Sequence, residues 1–322
     1  MNYIKLNEDQ LRNLINAETT FTAWEAAKKR AASVRGSMFW RKDGGKEYLV
    51  RATPASRQTR LGIRSQETEG IYNRFVQRKA ECESELKTLQ EALQTAKRYN
   101  LAARVGRCPK ILINILRSLE KHGLASHFLP VGTHAIYAYE TAAGVRVVDG
   151  ALATRDVDIL SDTRKRVTFF TTLKEENLSL IGILRQADAT FRVRDDQLQT
   201  AVNATGFEVD VIRRVAKDGD PHPLRMSDHE NDLWAVQVSS GETMINAERY
   251  SQVIVATDGS MARMTTIAPA IFVKVKSALA ISPTRDPLKR DKDALQANIV
   301  RQLIDERDIM LRGRIPDSEV SN

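Results

Sequence analysis

Two aspartates separated by one residue stand in the segment ATRDVDIL, residues 153–160. Strand side chains alternate in direction, so Asp156 and Asp158 would share one face, and Val157 and Ile159 the other. At about 3.3 Å per residue the two carboxylates would lie roughly 6–7 Å apart, and buried like charges at that distance repel each other. Mg²⁺ relieves such repulsion, because it prefers oxygen ligands and takes one or two carboxylates plus substrate phosphates. The pair therefore predicts a metal site, although an isolated D-x-D is also common on solvated strand edges.

A glycine–threonine turn precedes this strand, in LPVGTHAIYAYE, residues 129–140. Gly132 allows a ligand to approach the backbone closely, and the helix that follows offers free N–H groups and the positive end of its dipole. Gly132 and Thr133 are therefore candidates for binding phosphate. His134 starts the helix, and a structural role is favoured over a phosphate contact.

A further acidic strand is predicted at GFEVDVI, residues 206–212. Its alternation places Glu208 and Asp210 on one face, opposite Phe207, Val209 and Val211. The chain thus contains, in order, a phosphate-type turn, a helix, a strand with paired aspartates and a second acidic strand.

This order of motifs resembles the DNA polymerase beta-like nucleotidyltransferase superfamily. The strings VGTHAIYAYE, AGVR, ATRDVDIL and KRDKDALQA are similar to a bacterial family of nucleotidyltransferase-like proteins, as are SQETEGIYNRF and FWRKDGGKEYLVR nearer the N-terminus. The similarity extends over residues 35–305 or so. It implies an α+β fold, in which a mixed sheet with helices is flanked by helical N-terminal and C-terminal regions.

The resemblance also implies an activity and a set of site residues. Asp156, Asp158 and Asp210 would bind two Mg²⁺ ions, or Mn²⁺ in their place, and Gly132 and Thr133 would hold the β- and γ-phosphates of an NTP such as ATP. One ion would position the triphosphate and the other would activate the attacking hydroxyl, in an in-line displacement at the α-phosphorus that releases pyrophosphate. The expected enzyme moves a nucleoside monophosphate onto a hydroxyl of RNA, for example tRNA, or of a protein.

Two features differ from the usual pattern of that superfamily. Thr133 stands where serine is common, which keeps the hydroxyl. The distance along the chain from Gly132 to Asp156 is longer than in minimal members, so residues 141–153 are expected to form an insertion near the site.

Lysines on the C-terminal helices are further candidates. Lys292 falls on the apolar stripe of a helix predicted over residues 288–307, where a lysine either extends out to solvent or reaches an anion. In PAIFVKVKSALAI, residues 269–281, Lys274 and Lys276 flank the apolar face on opposite sides. The resemblance favours Lys276 and Lys292 as triphosphate contacts, with Asp293 orienting Lys292.

The N-terminal third is predicted to contain helices over 7–35, a hairpin over 37–51 and a long helix over 65–99. The hairpin region carries aromatic residues interleaved with a basic run, which suits either single-stranded nucleic acid or packing on the long helix; these residues are Phe39, Trp40, Tyr48, Arg41, Lys42, Arg51, Arg57, Arg60 and Arg64. We divide the chain into an N-terminal region (1–108), a catalytic core (109–220) and a C-terminal region (221–322).

Composition sets broad limits on function. The 322 residues carry a net charge of +8, which permits a polyanionic partner. Two cysteines are too few for a disulfide scaffold or a zinc site, and no apolar run is long enough to cross a membrane, so a cytoplasmic location is expected.

Two alternatives to the transferase are a catalytically weak member of the same fold that binds nucleotide or RNA in a toxin–antitoxin or defence system, and a metal-dependent glycosyltransferase.

Overall fold

The computed structural model describes residues 2–217, 219–307 and 309–312. Spatial clustering separates a smaller unit, residues 15–99, from a larger unit built from the residues before 15 and after 99. The three-part division predicted from the sequence stays a prediction.

The strands of the described residues are, in chain order, β1 (Tyr3–Lys5), β2 (Ser37–Asp43), β3 (Lys46–Ala52), β4 (Gln58–Ile63), β5 (Phe128–Val131), β6 (Val145–Val147), β7 (Asp156–Ser161), β8 (Arg192–Val193), β9 (Thr200–Val202), β10 (Glu208–Arg214), β11 (Leu224–Arg225), β12 (Trp234–Val238), β13 (Arg249–Val255) and β14 (Met261–Ile267). The α-helices are α1 (Glu8–Ser33), α2 (Gln66–Ala102), α3 (Lys110–Lys121), α4 (Ile136–Ala143), α5 (Asp149–Leu152), α6 (Arg166–Glu175), α7 (Leu180–Ala187), α8 (Gly241–Ile245), α9 (Pro269–Ala280), α10 (Pro287–Arg307) and α11 (Ile309–Arg312).

A mixed sheet forms the centre of the larger unit. Its strand order is β11–β12–β10–β7–β5, with β9 paired to β10 and β8 to β9. Strand β10 runs parallel to both β7 and β12, whereas β5 runs antiparallel to β7. The predicted α+β fold with a mixed sheet is confirmed.

Strands β7 and β10 form because each alternates apolar and acidic residues. Val157 and Ile159 of β7 and Val209 and Val211 of β10 are fully buried in the core, so the opposite faces of both strands carry the carboxylates. Burial of these branched side chains fixes the register, since a slip of one residue would turn every carboxylate into the core.

Helices α9 and α10 pack against each other at the C-terminal end of the larger unit. Helix α9 begins with Pro269, whose fixed φ suits the first helical turn. Leu288, in the first turn of α10, is exposed, whereas Ile299, Val300 and Leu303 further along the helix are buried.

The smaller unit contains a three-stranded antiparallel sheet in the order β2–β3–β4. The predicted hairpin is confirmed, with Gly44 and Gly45 at positive φ in its turn. Strand β4 was not predicted. Ser65 caps α2, since its hydroxyl accepts from the Thr68 N–H at 3.3 Å.

In the described part of the chain, no helix has both the length and the apolar character needed to cross a membrane.

Candidate active site

The acidic residues of β7 and β10 lie side by side on the central sheet. In the parallel register Asp156 is opposite Glu208, and Asp158 is opposite Asp210. Adjacent strands are about 4.8 Å apart, so the register brings the predicted carboxylates of the two strands into one patch. Glu208 forms a salt bridge with Arg194, whose Nη1 donates to its carboxylate at 2.8 Å.

Asp158 is the most perturbed carboxyl of this patch. Burial is the main cause that raises the pKa of Asp158 to about 7, and the charges of Asp156 and Asp210 raise it further. The positive charges of Lys276 and Arg285 lower the pKa of Asp158, because both cations lie close to the carboxylate patch. A carboxyl with such a pKa is half-ionised near neutrality.

Asp156 and Asp210 have different surroundings. Asp156 is exposed and accepts a hydrogen bond from the Thr154 hydroxyl. The pKa of Asp210 is raised mainly by burial, although the Thr200 hydroxyl donates to its Oδ1 at 2.5 Å and opposes that effect. The patch therefore combines a solvent-facing carboxylate with two more enclosed ones.

Gly132 touches this patch from the neighbouring strand β5. Val131 is paired with Asp158 in the antiparallel register, and the next residue, Gly132, has φ +63°. A Cβ at Gly132 would collide with Asp158 Oδ2. The left-handed backbone therefore favours glycine here, and any Cβ at this position would also displace the Asp158 carboxylate. The segment Gly132–Ala135 forms a 3₁₀ turn that leads into α4.

Thr133 is held by a buried amide from α10. Gln296 is fully buried, and its Nε2 donates to Thr133 Oγ1 at 3.0 Å and to the Ala151 carbonyl at 2.7 Å. Because a carbonyl only accepts, Ala151 fixes which end of the amide faces Thr133. The Thr133 oxygen thus accepts from Gln296, and its hydroxyl hydrogen is left for another acceptor.

The two cations that lower the pKa of Asp158 belong to an ion cluster on and between the C-terminal helices. Asp293 of α10 accepts from Lys276 Nζ at 2.6 Å and from Arg285 Nε at 3.0 Å. Lys276 and Asp293 are both buried, while Lys274 is exposed. Lys276 is therefore the buried one of the two candidate lysines, and its contact with a triphosphate stays a prediction.

The predicted pairing of Asp293 with Lys292 is wrong. Successive helix residues point in directions about 100° apart. Asp293 points to Lys276 of α9, whereas Lys292 Nζ donates to the Ala153 carbonyl at 2.8 Å. The pKa of Lys292 is lowered mainly by burial, and Asp156 is the charge that most opposes this. Lys292 thus lies close to Asp156. Ala153 and Ala151, at the end of the segment 141–153, contact Lys292 and Gln296, and the interpretation of that segment as an insertion stays a prediction.

His134 is buried beside the turn, with its ring centroid 5.7 Å from that of Tyr137 and 5.8 Å from that of Phe207. Burial lowers the pKa of His134 to about 4, so the ring is neutral at pH 7. This environment is that of a packing residue.

The donor chemistry of the patch fits a hard divalent cation. Asp156, Asp158 and Asp210 offer carboxylate oxygens, and their mutual repulsion is one cause of the raised pKa of Asp158. No three His, Cys, Asp or Glu side chains in the described part of the chain are already gathered around one point as metal ligands. The fit therefore rests on the type and charge of the donors.

Comparison with known proteins places the chain in a family. A family model described as Nucleotidyltransferase matches residues 110–312, more than half of the chain and the part that holds the carboxylate strands, the glycine turn, α9 and α10. The chain therefore belongs to this nucleotidyltransferase family. No curated protein and no solved structure matches it.

Sequence reasoning missed two residues at this site. Arg285 lies in the segment between α9 and α10, where no periodicity marks it. Gln296 could have been identified from its spacing, since it follows Asp293 by three residues and both are polar residues on the buried side of α10.

Proposed function

We propose that this protein is an Mg²⁺-dependent enzyme that transfers a nucleoside monophosphate from an NTP to a hydroxyl of RNA or of a protein and releases pyrophosphate. The observation that carries the proposal is the register pair Asp158–Asp210, packed against the left-handed Gly132 and faced by Lys276 and Arg285. It brings carboxylates, a phosphate-type turn and fixed cations together in a chain of the nucleotidyltransferase family.

The protein's own groups bind and orient the triphosphate in this proposal. The Thr133 hydroxyl donates its free hydrogen to a phosphate oxygen, and the backbone at Gly132 allows that phosphate to approach closely. Lys276 and Arg285 are pre-positioned by Asp293 and offset the charge of the β- and γ-phosphates. Lys292 adds a further cation on the side of Asp156.

Asp156, Asp158 and Asp210 would hold the divalent ions. When bound, such ions supply charge stabilisation at the phosphorus and lower the pKa of the attacking hydroxyl. Asp158 must be ionised to take part, and Lys276 and Arg285 favour its ionised form.

The test is to incubate the full chain with each NTP labelled at the α-phosphate, with Mg²⁺ and with total RNA or total protein. We expect label on one acceptor, and its loss in the Asp156→Ala, Asp158→Ala double variant. Full transfer by that variant would refute the assignment. Calorimetry that shows NTP binding, with no labelled product on any acceptor, would instead make the protein a nucleotide-binding member of the family.

A further inference from the structure

The smaller unit carries most of the net positive charge of the chain. Residues 35–64 contain eight basic and two acidic residues, a net charge of +6 against +8 for the whole chain. These residues include the sheet β2–β3–β4. The proposed catalytic site uses none of them.

One face of this sheet combines basic and aromatic side chains, and we name it the basic face. Cross-strand partners share a face, and the register pairs Arg41 with Tyr48 and Asp43 with Lys46, while Phe39 and Arg60 both pair with Val50. Phe39, Arg41, Lys46, Tyr48 and Arg60 therefore define the basic face. Arg41, Lys46 and Arg60 are exposed, and the two rings are half-buried.

The opposite face of the sheet is used for folding. Trp40 packs against Tyr72 of α2 with ring centroids 5.9 Å apart, and the Arg51 guanidinium lies 4.3 Å from the Phe75 ring of the same helix. Trp40 and Arg51 therefore pack on the long helix, which is one of the two roles predicted for this region. None of the five residues that define the basic face takes part in these two ring contacts with α2.

Arginines and rings of the basic face are stacked on each other. The Arg41 guanidinium lies 5.6 Å from the Phe39 ring centre, and that of Arg60 lies 4.7 Å from the Tyr48 ring. Arg60 is paired with Asp43, whereas Arg41 and Lys46 form no salt bridge with any described residue. Unstacked bases bind on aromatic and guanidinium planes, and Arg and Lys bind the intervening phosphates.

We propose that the basic face binds single-stranded RNA. Charge complementarity selects a polyanion, and flat stacking groups select exposed bases over a duplex, whose bases are already stacked. The choice of RNA over DNA rests on the proposed function, in which RNA is one class of acceptor. Single-stranded RNA and single-stranded DNA share the phosphates and exposed bases that this face would bind, and a comparison of the two oligonucleotides distinguishes them.

The test measures fluorescence anisotropy of a short labelled oligo(U) RNA with the full chain, in EDTA and without NTP, across a KCl series. Arg41→Gln, Lys46→Gln should bind more weakly, with a salt slope reduced by about 1.4 for two lost phosphate contacts on a single strand. Arg78→Gln, Lys87→Gln is the matched control, because it removes the same charge from exposed positions of α2 and should leave the slope unchanged.

A stacking variant separates base contacts from charge. Phe39→Leu keeps an apolar side chain and should lower affinity by about fivefold or more, with the salt slope unchanged. Circular dichroism and the melting temperature verify that each variant is folded.

Several outcomes would overturn the proposal. These are no binding by the wild-type chain, equal loss in the Arg78→Gln, Lys87→Gln control, or equal binding of duplex RNA, heparin or an acidic peptide. Equal affinity for the matching DNA would refute the assignment to RNA. Because this binding assay contains neither NTP nor a divalent ion, failure of catalysis and failure of this inference are distinguishable.

Discussion

At the scale of single residues, Asp158 connects the electrostatics of the site to its pH dependence. Burial and the negative charges of Asp156 and Asp210 raise the pKa of Asp158 to about 7. The Asp158 carboxyl must therefore lose a proton before it binds a cation. Affinity for Mn²⁺, measured by calorimetry, should therefore rise as the pH increases through 7 and level off above it.

Asp210→Asn sharpens that prediction. Removal of one neighbouring negative charge lowers the pKa of Asp158, so the rise in metal affinity should move to lower pH even as maximal affinity falls. Asp195→Asn, at an exposed position outside the patch, should leave the midpoint where it is. A metal affinity that does not vary between pH 6 and 8 would contradict the account of Asp158, whose pKa is about 7.

Gln296 is a positioning residue, since it acts through Thr133. Gln296→Leu and Thr133→Val should each lower kcat/KM for the NTP by about five- to tenfold, the value of one neutral hydrogen bond. The double variant should lose little more than Thr133→Val alone, because Gln296 acts through the Thr133 hydroxyl, which that single variant already removes. Thr133→Ser should retain activity. Additive losses would show that Gln296 does not act through Thr133.

At the scale of elements, the turn between β5 and α4 depends on a glycine for two separable reasons. Gly132→Ala should destabilise the fold by about 1–2 kcal/mol through left-handed strain, and more through the contact of its Cβ with Asp158 Oδ2.

Gly123→Ala is the matched control, since Gly123 also has positive φ, at +68°, but a Cβ there would meet nothing within 4 Å. Chemical denaturation should show a larger loss for Gly132→Ala than for Gly123→Ala, and the difference reports the carboxylate contact. Equal losses would mean that backbone strain alone explains the glycine.

The contact between α9 and α10 depends on a buried charge. Asp293→Asn removes the carboxylate that is hydrogen-bonded to the buried Lys276, so the free energy of unfolding should fall by about 3 kcal/mol or more. Asp305→Asn, on the exposed side of the same helix, should change it by no more than about 0.5 kcal/mol. If denaturation gave equal values for the two variants, Asp293 would not hold the two helices together.

At the scale of the whole molecule, the sequence predicted what is local. Alternation placed Asp156 and Asp158 on one face, and turn chemistry identified Gly132 as a candidate for binding phosphate. Only the family resemblance implied that Asp158 and Asp210 come together, and the pairing of Asp293 with Lys276 was not predicted. Both depend on which elements become neighbours, which local residue patterns do not show. Strand β4 was missed because its residues are nearly all exposed and show no alternation.

The central claim for the molecule is that carboxylates from two strands serve nucleotidyl transfer. The most direct measurement follows NTP labelled at the α- or the γ-phosphate in parallel, for the wild type, for Asp156→Asn, Asp158→Asn, and for the control Asp195→Asn, Asp305→Asn at exposed positions. We predict that wild type and control place the α-label on the acceptor and release the γ-label as pyrophosphate, while the active-site variant does neither. Transfer of the γ-label to the acceptor, or unchanged transfer by the active-site variant, would contradict the account.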